Sequence, residues 1–147
     1  MKLAAESHER LENFLREFFQ DPDLQLPAIC LHKGAAARLL TRALKVAAIT
    51  FGHHVLVSPE IIKTDDMGRR NVPGWLLAHE ATHVLQYKRE GYLCFLLHYF
   101  LGYWRALRES GKWDRAARLG AYLAIAEERA AQEVERAYQA KGTELKP

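Results

Sequence analysis

The chain reads as an α+β fold, a mostly helical single domain with a small β-hairpin sheet packed on a helix bearing His-Glu-x-x-His. Three observations predict it. At 147 residues it has the length of one ordinary domain, able to bury a core without disulfides. Apolar residues make up 49% and charged residues 27%, the balance of a soluble globular chain. Long helical periodicities are interrupted by only three short apolar, partly β-branched runs, and no repeat, low-complexity tract or interdomain linker divides them.

Each element follows from local chemistry. Leu11, Phe14, Leu15 and Phe18 recur at helical spacing, so Leu3 to Phe19 is an amphipathic helix. Gln20 to Pro27 holds two prolines and two aspartates and reads as a loop, and Ala28 to His32 as a short strand. Strong helix formers fill Ala35 to Lys45. Val46 to Ser58 then places two apolar runs around Gly52-His53, and a glycine at the first turn position suits a type II′ hairpin. Pro59 to Pro73, with Asp65, Asp66, Gly68 and two arginines, reads as an exposed loop. The next helix is expected from Asn71 as cap to Gly91, with Lys88 and Arg89 complementing its C-terminal dipole. Tyr92 to Glu109 and Trp113 to Gln139 read as two further helices.

Composition narrows the function classes. The net charge is +3, and the basic residues lie scattered beside acids, which excludes a nucleic-acid footprint. The longest apolar segment, Tyr92 to Trp104, is broken by His98 and Gly102 and falls short of the about 20 residues a membrane span needs. Cys30 and Cys94 stand far apart, outside any C-x-x-C pattern, so neither a thiolate metal site nor a disulfide framework is expected. With no apolar stretch of signal type in its opening residues, the chain is expected in the cytoplasm, with non-classical export as the exception.

Chemistry concentrates in Ala78-His79-Glu80-Ala81-Thr82-His83. Residues i and i+4 share a helix face, so both imidazoles can reach one zinc ion. Glu80, about 100° further round, falls beside that ion, where a general base belongs. Chance alone yields the three letters in roughly 3% of chains of this composition, so context has to decide. Here the context is apolar: Leu76, Leu77, Ala81, Val84 and Leu85 surround the motif, and His79, Glu80, His83 and Gln86 form the only polar stripe on the helix. Such groups are costly to bury unpaired, and a metal resolves that cost.

A third ligand is expected from the last helix. Its apolar face, Leu123, Ala130, Val134 and Tyr138, is centred near Glu127. Glu128 lies at the border of that face among Ala121, Ala124 and Ala131, small residues that let two helices approach. Helical geometry favours Glu127 as the inward carboxylate, with Glu128 at the border.

At this point the sequence resembles a family of metallopeptidase-like domains, long catalogued as of unknown function and associated with extracellular contractile injection systems. The resemblance rests on Leu31-His32-Lys33-Gly34, an alanine-rich helix to Lys45, Ile49-Thr50-Phe51-Gly52, and the run from Leu76 to Gln86, and covers roughly residues 28 to 135. It implies a gluzincin-like fold. Relatives carry a pattern like Ile-Pro-x-Glu-Arg-x-Ala in the last helix, against Ile125-Ala126-Glu127-Glu128-Arg129-Ala130-Ala131 here. That register implies Glu128 as the third ligand, although the proline is missing.

The resulting expectation is a zinc-dependent metallopeptidase: Zn2+ on His79, His83 and Glu128, Glu80 as catalytic base, and a peptide or protein as substrate, met in a shallow cleft. The strand Val55 to Val57 is the expected edge for an extended peptide. The alternative is a non-catalytic, zinc-stabilised binding or effector-scaffold domain, whose mark would be a fourth ligand such as His53 or a cysteine. Among the remaining candidates, His53 and His54 are expected exposed, His32 hydrogen-bonded in its turn, and His98 in the core or lining a cleft. Tyr99, Tyr103, Tyr122 and His98 are the candidate oxyanion donors, and the stripe from Phe95 to Trp104 is expected to pack on the zinc helix.

Overall fold

Helix α1 (Ala5–Phe19) opens the computed structural model, which describes residues 2–64 and 70–144. Leu11, Phe14 and Leu15 are the buried face of α1, and Gln20 ends it in the left-handed conformation. The loop that follows is fastened to the helix that precedes it: Glu12 accepts the Leu26 amide at 2.8 Å, and Arg16 donates to the Leu24 carbonyl at 2.8 Å. Leu26 and Ile29 thereby enter the core.

Strand β1 (Cys30–His32) leads into α2 (Ala35–Leu44), then β2 (Ala48–Phe51) and β3 (His54–Val57). The sheet order is β1-β3-β2, with β1 parallel to β3 (Cys30 opposite His54) and β2 antiparallel to it (Thr50 opposite Val55). The hairpin turn is as the sequence predicts: Gly52 has φ +62°, and His53 is not among the positive-φ residues, which selects type II′ over I′. A side chain at Gly52 would also strike the Tyr92 ring, 2.1 Å from its hydroxyl.

Two expectations need correcting here. β3 is the central strand, so Val55 to Val57 has no free edge; the exposed edge on the hairpin side belongs to β2. The segment after Pro59 is not a plain loop. It forms a 3₁₀ turn (Pro59–Ile61) and a short antiparallel pair, β4 (Lys63–Thr64) with β5 (Arg70–Asn71), while Ile61 and Ile62 pack on the core. Asp65, Asp66 and Gly68 lie outside the described residues.

Helix α3 (Gly74–Glu90) starts after Pro73, and Asn71 belongs to β5 instead of capping it. Proline disfavours helical backbone at the residue before it, so the helix cannot reach back through Val72. Lys88 and Arg89 occupy the last turn, as expected, and Gly91 ends it at φ +80°. Helix α3 runs through the centre of the molecule and packs on α6, α4, α1 and β2.

Helix α4 (Tyr92–Ser110) pairs with α5 (Arg115–Ala124), and Asp114 caps α5 by accepting the Ala117 amide at 2.8 Å. Phe95 is buried beside Tyr87 and His83, whereas Phe100 and Trp104 remain exposed. The single helix expected from Trp113 to Gln139 is in fact two. Ile125 breaks it with extended backbone (φ −62°, ψ 131°) and a side chain only 1% exposed, and α6 (Ala126–Glu144) starts anew. The break turns the chain so that α6 lies along α3. Among the described residues the result is a mostly helical α+β fold of six helices with one three-stranded mixed sheet.

Candidate metal centre

The middle of α3 is buried on all sides: Ala78, Glu80, Ala81, Thr82, His83 and Val84 are each shielded. Helical spacing sets the His79 and His83 rings together, with centroids 5.0 Å apart. Helix α6 crosses α3 at this level, and its first turn delivers Glu128, 2% exposed. One donor atom from each of His79, His83 and Glu128 falls within 4.8 Å of the others.

Finer distances fit a shared ion. His79 Nε2 lies 3.5 Å from Glu128 Oε2, and His83 Nε2 lies 3.4 Å from Oε1. Ligands around a tetrahedral zinc at about 2.0–2.1 Å stand about 3.3 Å apart. Glu128 Oε2 is buried without a hydrogen-bond partner. An orphaned carboxylate oxygen costs about 1–3 kcal/mol or more, and a cation at this point would satisfy it.

Outer groups orient the rings. His79 Nδ1 is 3.0 Å from Glu135 Oε2, and His83 Nδ1 is 2.8 Å from Gln86 Oε1. Both partners are oxygen acceptors, so each ring donates from Nδ1 and turns Nε2 toward Glu128, the tautomer a metal ligand needs. Gln86 is itself held by donating to the Glu127 carbonyl at 3.1 Å. Glu80, 5% exposed, accepts a 2.6 Å hydrogen bond from the Thr50 hydroxyl on β2. Tyr99 on α4 donates to Glu128 Oε1 at 2.8 Å.

The electrostatics follow from this packing. Burial alone would lower the pKa of His79 and of His83, but the adjoining Glu128 carboxylate and the charge of Glu80 raise both above 6.5. Burial alone would raise that of Glu128, yet its two histidine partners and Tyr122 pull it well below the ordinary carboxylate range. Burial and the Glu128 charge raise Tyr99 and Tyr122, so both keep their hydroxyl protons at neutral pH and remain donors.

His79, Glu80, His83 and Glu128 are therefore brought together. Glu127 is not: it is half-buried, one position off the cluster, because the break at Ile125 resets the helical phase on which its inward reading depended. Leu123, counted in that apolar face, is 43% exposed. His98 is an exposed residue hydrogen-bonded to Glu90 at 3.1 Å, neither core nor site. Of the tyrosines, Tyr99 and Tyr122 bear on Glu128. Glu80 and His83 are 5% and 6% exposed, while His79 is half-buried. Among the described residues no fourth His, Cys, Asp or Glu joins the three donors.

Sequence reasoning missed Thr50 and Glu135. Glu135 follows Glu128 by two helical turns, so its position on the α3 side was readable once the helix started at Ala126; Thr50 stood only within the hairpin piece of the family pattern, with nothing to mark its contact with Glu80. His53 and His54 lie elsewhere, grouped with Cys30. That grouping is at odds with the expectation of no thiolate site, because strand pairing joins residues that no sequence spacing connects.

No curated protein and no solved structure matches the chain. Its α1-to-α3 portion, residues 6–91, which includes the His-Glu-x-x-His helix, matches the family model of the eCIS core domain. Glu128 lies beyond that match, supplied by the part of the chain the family model does not cover. The match takes in more than half of the sequence, so the chain belongs to the eCIS core domain family, associated with extracellular contractile injection systems.

Proposed function

We propose that the chain is a zinc-dependent metallopeptidase acting on a peptide or protein, with His79, His83 and Glu128 as ligands and Glu80 as general base. The observation that carries this reading is the convergence of two correctly oriented imidazoles on a buried carboxylate with an orphaned oxygen. Zinc held there supplies Lewis-acid polarisation of a carbonyl and lowers the pKa of water to about 7.

The remaining steps belong to the chain's own residues. Glu80, fixed by the Thr50 hydroxyl, takes a proton from the attacking water and delivers it to the leaving amine. Tyr99 and Tyr122, which keep their protons, bear on Glu128 and hold the ligand carboxylate in place. Strand β2 carries Thr50 and ends the sheet, so its edge suits an extended peptide laid antiparallel beside the site. Family membership sets the chain within a larger protein system, and its substrate is sought among proteins of that system or its targets.

The test is Glu80→Gln. It retains about one zinc per chain and loses hydrolysis by at least about a hundredfold, the usual weight of a general base. Zinc retained in both forms with no turnover on any protein of the system, wild type included, would replace this reading by the zinc-stabilised scaffold. Undiminished hydrolysis in the variant would sink the role given to Glu80.

A further inference from the structure

On the sheet, β1 and β3 run parallel with Cys30 opposite His54 and Leu31 opposite Val55. Alternation along a strand sends neighbouring side chains to opposite faces. Leu31 and Val55 are buried in the core, and Thr50, opposite Val55, reaches Glu80 of α3. Cys30, His32 and His54 therefore share the other face of the sheet, turned away from the His79 centre. His53, exposed in the hairpin turn, comes back to the same place: donor atoms of Cys30, His53 and His54 lie within 4.8 Å of one another.

His32 stands beside the group, against His54. Its Nε2 is 3.0 Å from His54 Nδ1, and the His53 and His54 rings stack with centroids 4.2 Å apart. The Cys30 amide also donates to the His53 carbonyl at 2.9 Å, fixing the turn against β1. Three imidazoles and a thiol with no carboxylate among them form an unusual strand surface, which ordinarily carries Thr, Lys or Glu. They are the donors of borderline and soft cations.

We propose that Cys30, His53 and His54, with His32 orienting His54, form a second metal site, on the sheet face opposite the His79 centre, that takes a borderline or soft divalent cation such as zinc. It clips β1 to the β2–β3 hairpin where only three residue pairs join the two parallel strands. On loading, Cys30 gives up its thiol proton to solvent and binds as thiolate, while the histidines bind as neutral rings. The site does not depend on the peptidase reading, because it shares no residue with it.

The experiment is a titration of the reduced, metal-free chain with cobalt(II), followed by absorption. The wild type is expected to take two equivalents, one of which develops a near-ultraviolet thiolate-to-cobalt charge-transfer band. Cys30→Ser loses that band and one equivalent, and Cys94→Ser keeps both. A His79→Ala, His83→Ala double variant loses the other equivalent and keeps the band, with circular dichroism checking that each variant folds. A wild type without the band, or a band that survives Cys30→Ser, overturns the proposal. So does loss of the band in the folded double variant, which would assign the thiolate to the α3 centre.

Discussion

Glu128 and Glu127 are neighbours with opposite surroundings. Glu128 sits 2% exposed with an unpartnered oxygen facing two imidazoles, whereas Glu127 is half-buried and gives its backbone carbonyl to Gln86. Glu128→Ala is expected to abolish zinc retention and Glu127→Ala to preserve it, read by metal content after gel filtration. Glu135→Gln keeps an acceptor beside His79 but removes its charge, and should weaken zinc binding by about 10–100-fold. The pair of histidines and Glu80 were legible because one helix carries all three, and helical geometry needs no tertiary information. The choice of Glu128 was not readable from periodicity; it came from the register of a family pattern. Thr50 stood in the family pattern, but its contact with Glu80 was not readable, since only the folded sheet brings the two together.

At the scale of elements, the break at Ile125 decides whether the site exists. An uninterrupted helix from Trp113 would carry α6 away from α3, and its phase would turn Glu127 inward. The sequence concealed the break because alanine, a strong helix former, stands at position 126. Ala126 is the first residue of α6, a position whose amide has no partner within the helix, and Ile125 already has the extended backbone a following proline requires. Ala126→Pro should therefore fold normally and gain about 0.4–1 kcal/mol, measured by urea unfolding. A loss of more than that would mean that the α5–α6 corner is built differently. The hairpin, by contrast, announced itself through Gly52 alone, and Pro73 displaced the start of α3 by its effect on the residue before it.

For the whole molecule, length, composition and periodicity were enough for the fold class, because a helical majority with three short apolar runs leaves few ways to cover a hydrophobic helix. The order of the strands was not legible, and with it went the free edge on the hairpin side, which is β2 instead of β3. Zinc bound only by the folded chain stabilises it by mass action, about 2.7 kcal/mol at a free concentration a hundred times the Kd. Chelation should accordingly lower the melting midpoint, and much less so in Glu128→Ala. The metal-free chain has its own pH signature. Glu128, depressed from 4.5, contributes stability that is present above that value and lost as pH falls through its folded value. His79 and His83, raised from 6.5, contribute stability that is complete below 6.5 and lost as pH rises through their folded values. Urea midpoints of chelated protein should thus be highest between these limits, and a midpoint rising steadily above pH 7 would contradict the arrangement.

Because the donors are divided between α3 and α6, the centre is assembled in the order in which a ribosome releases the chain. His79, Glu80 and His83 emerge while Glu128 is still tens of residues from the exit, so the nascent chain carries the motif without the means to hold its ion. The three-donor cluster is therefore complete only when α6 has closed over α3.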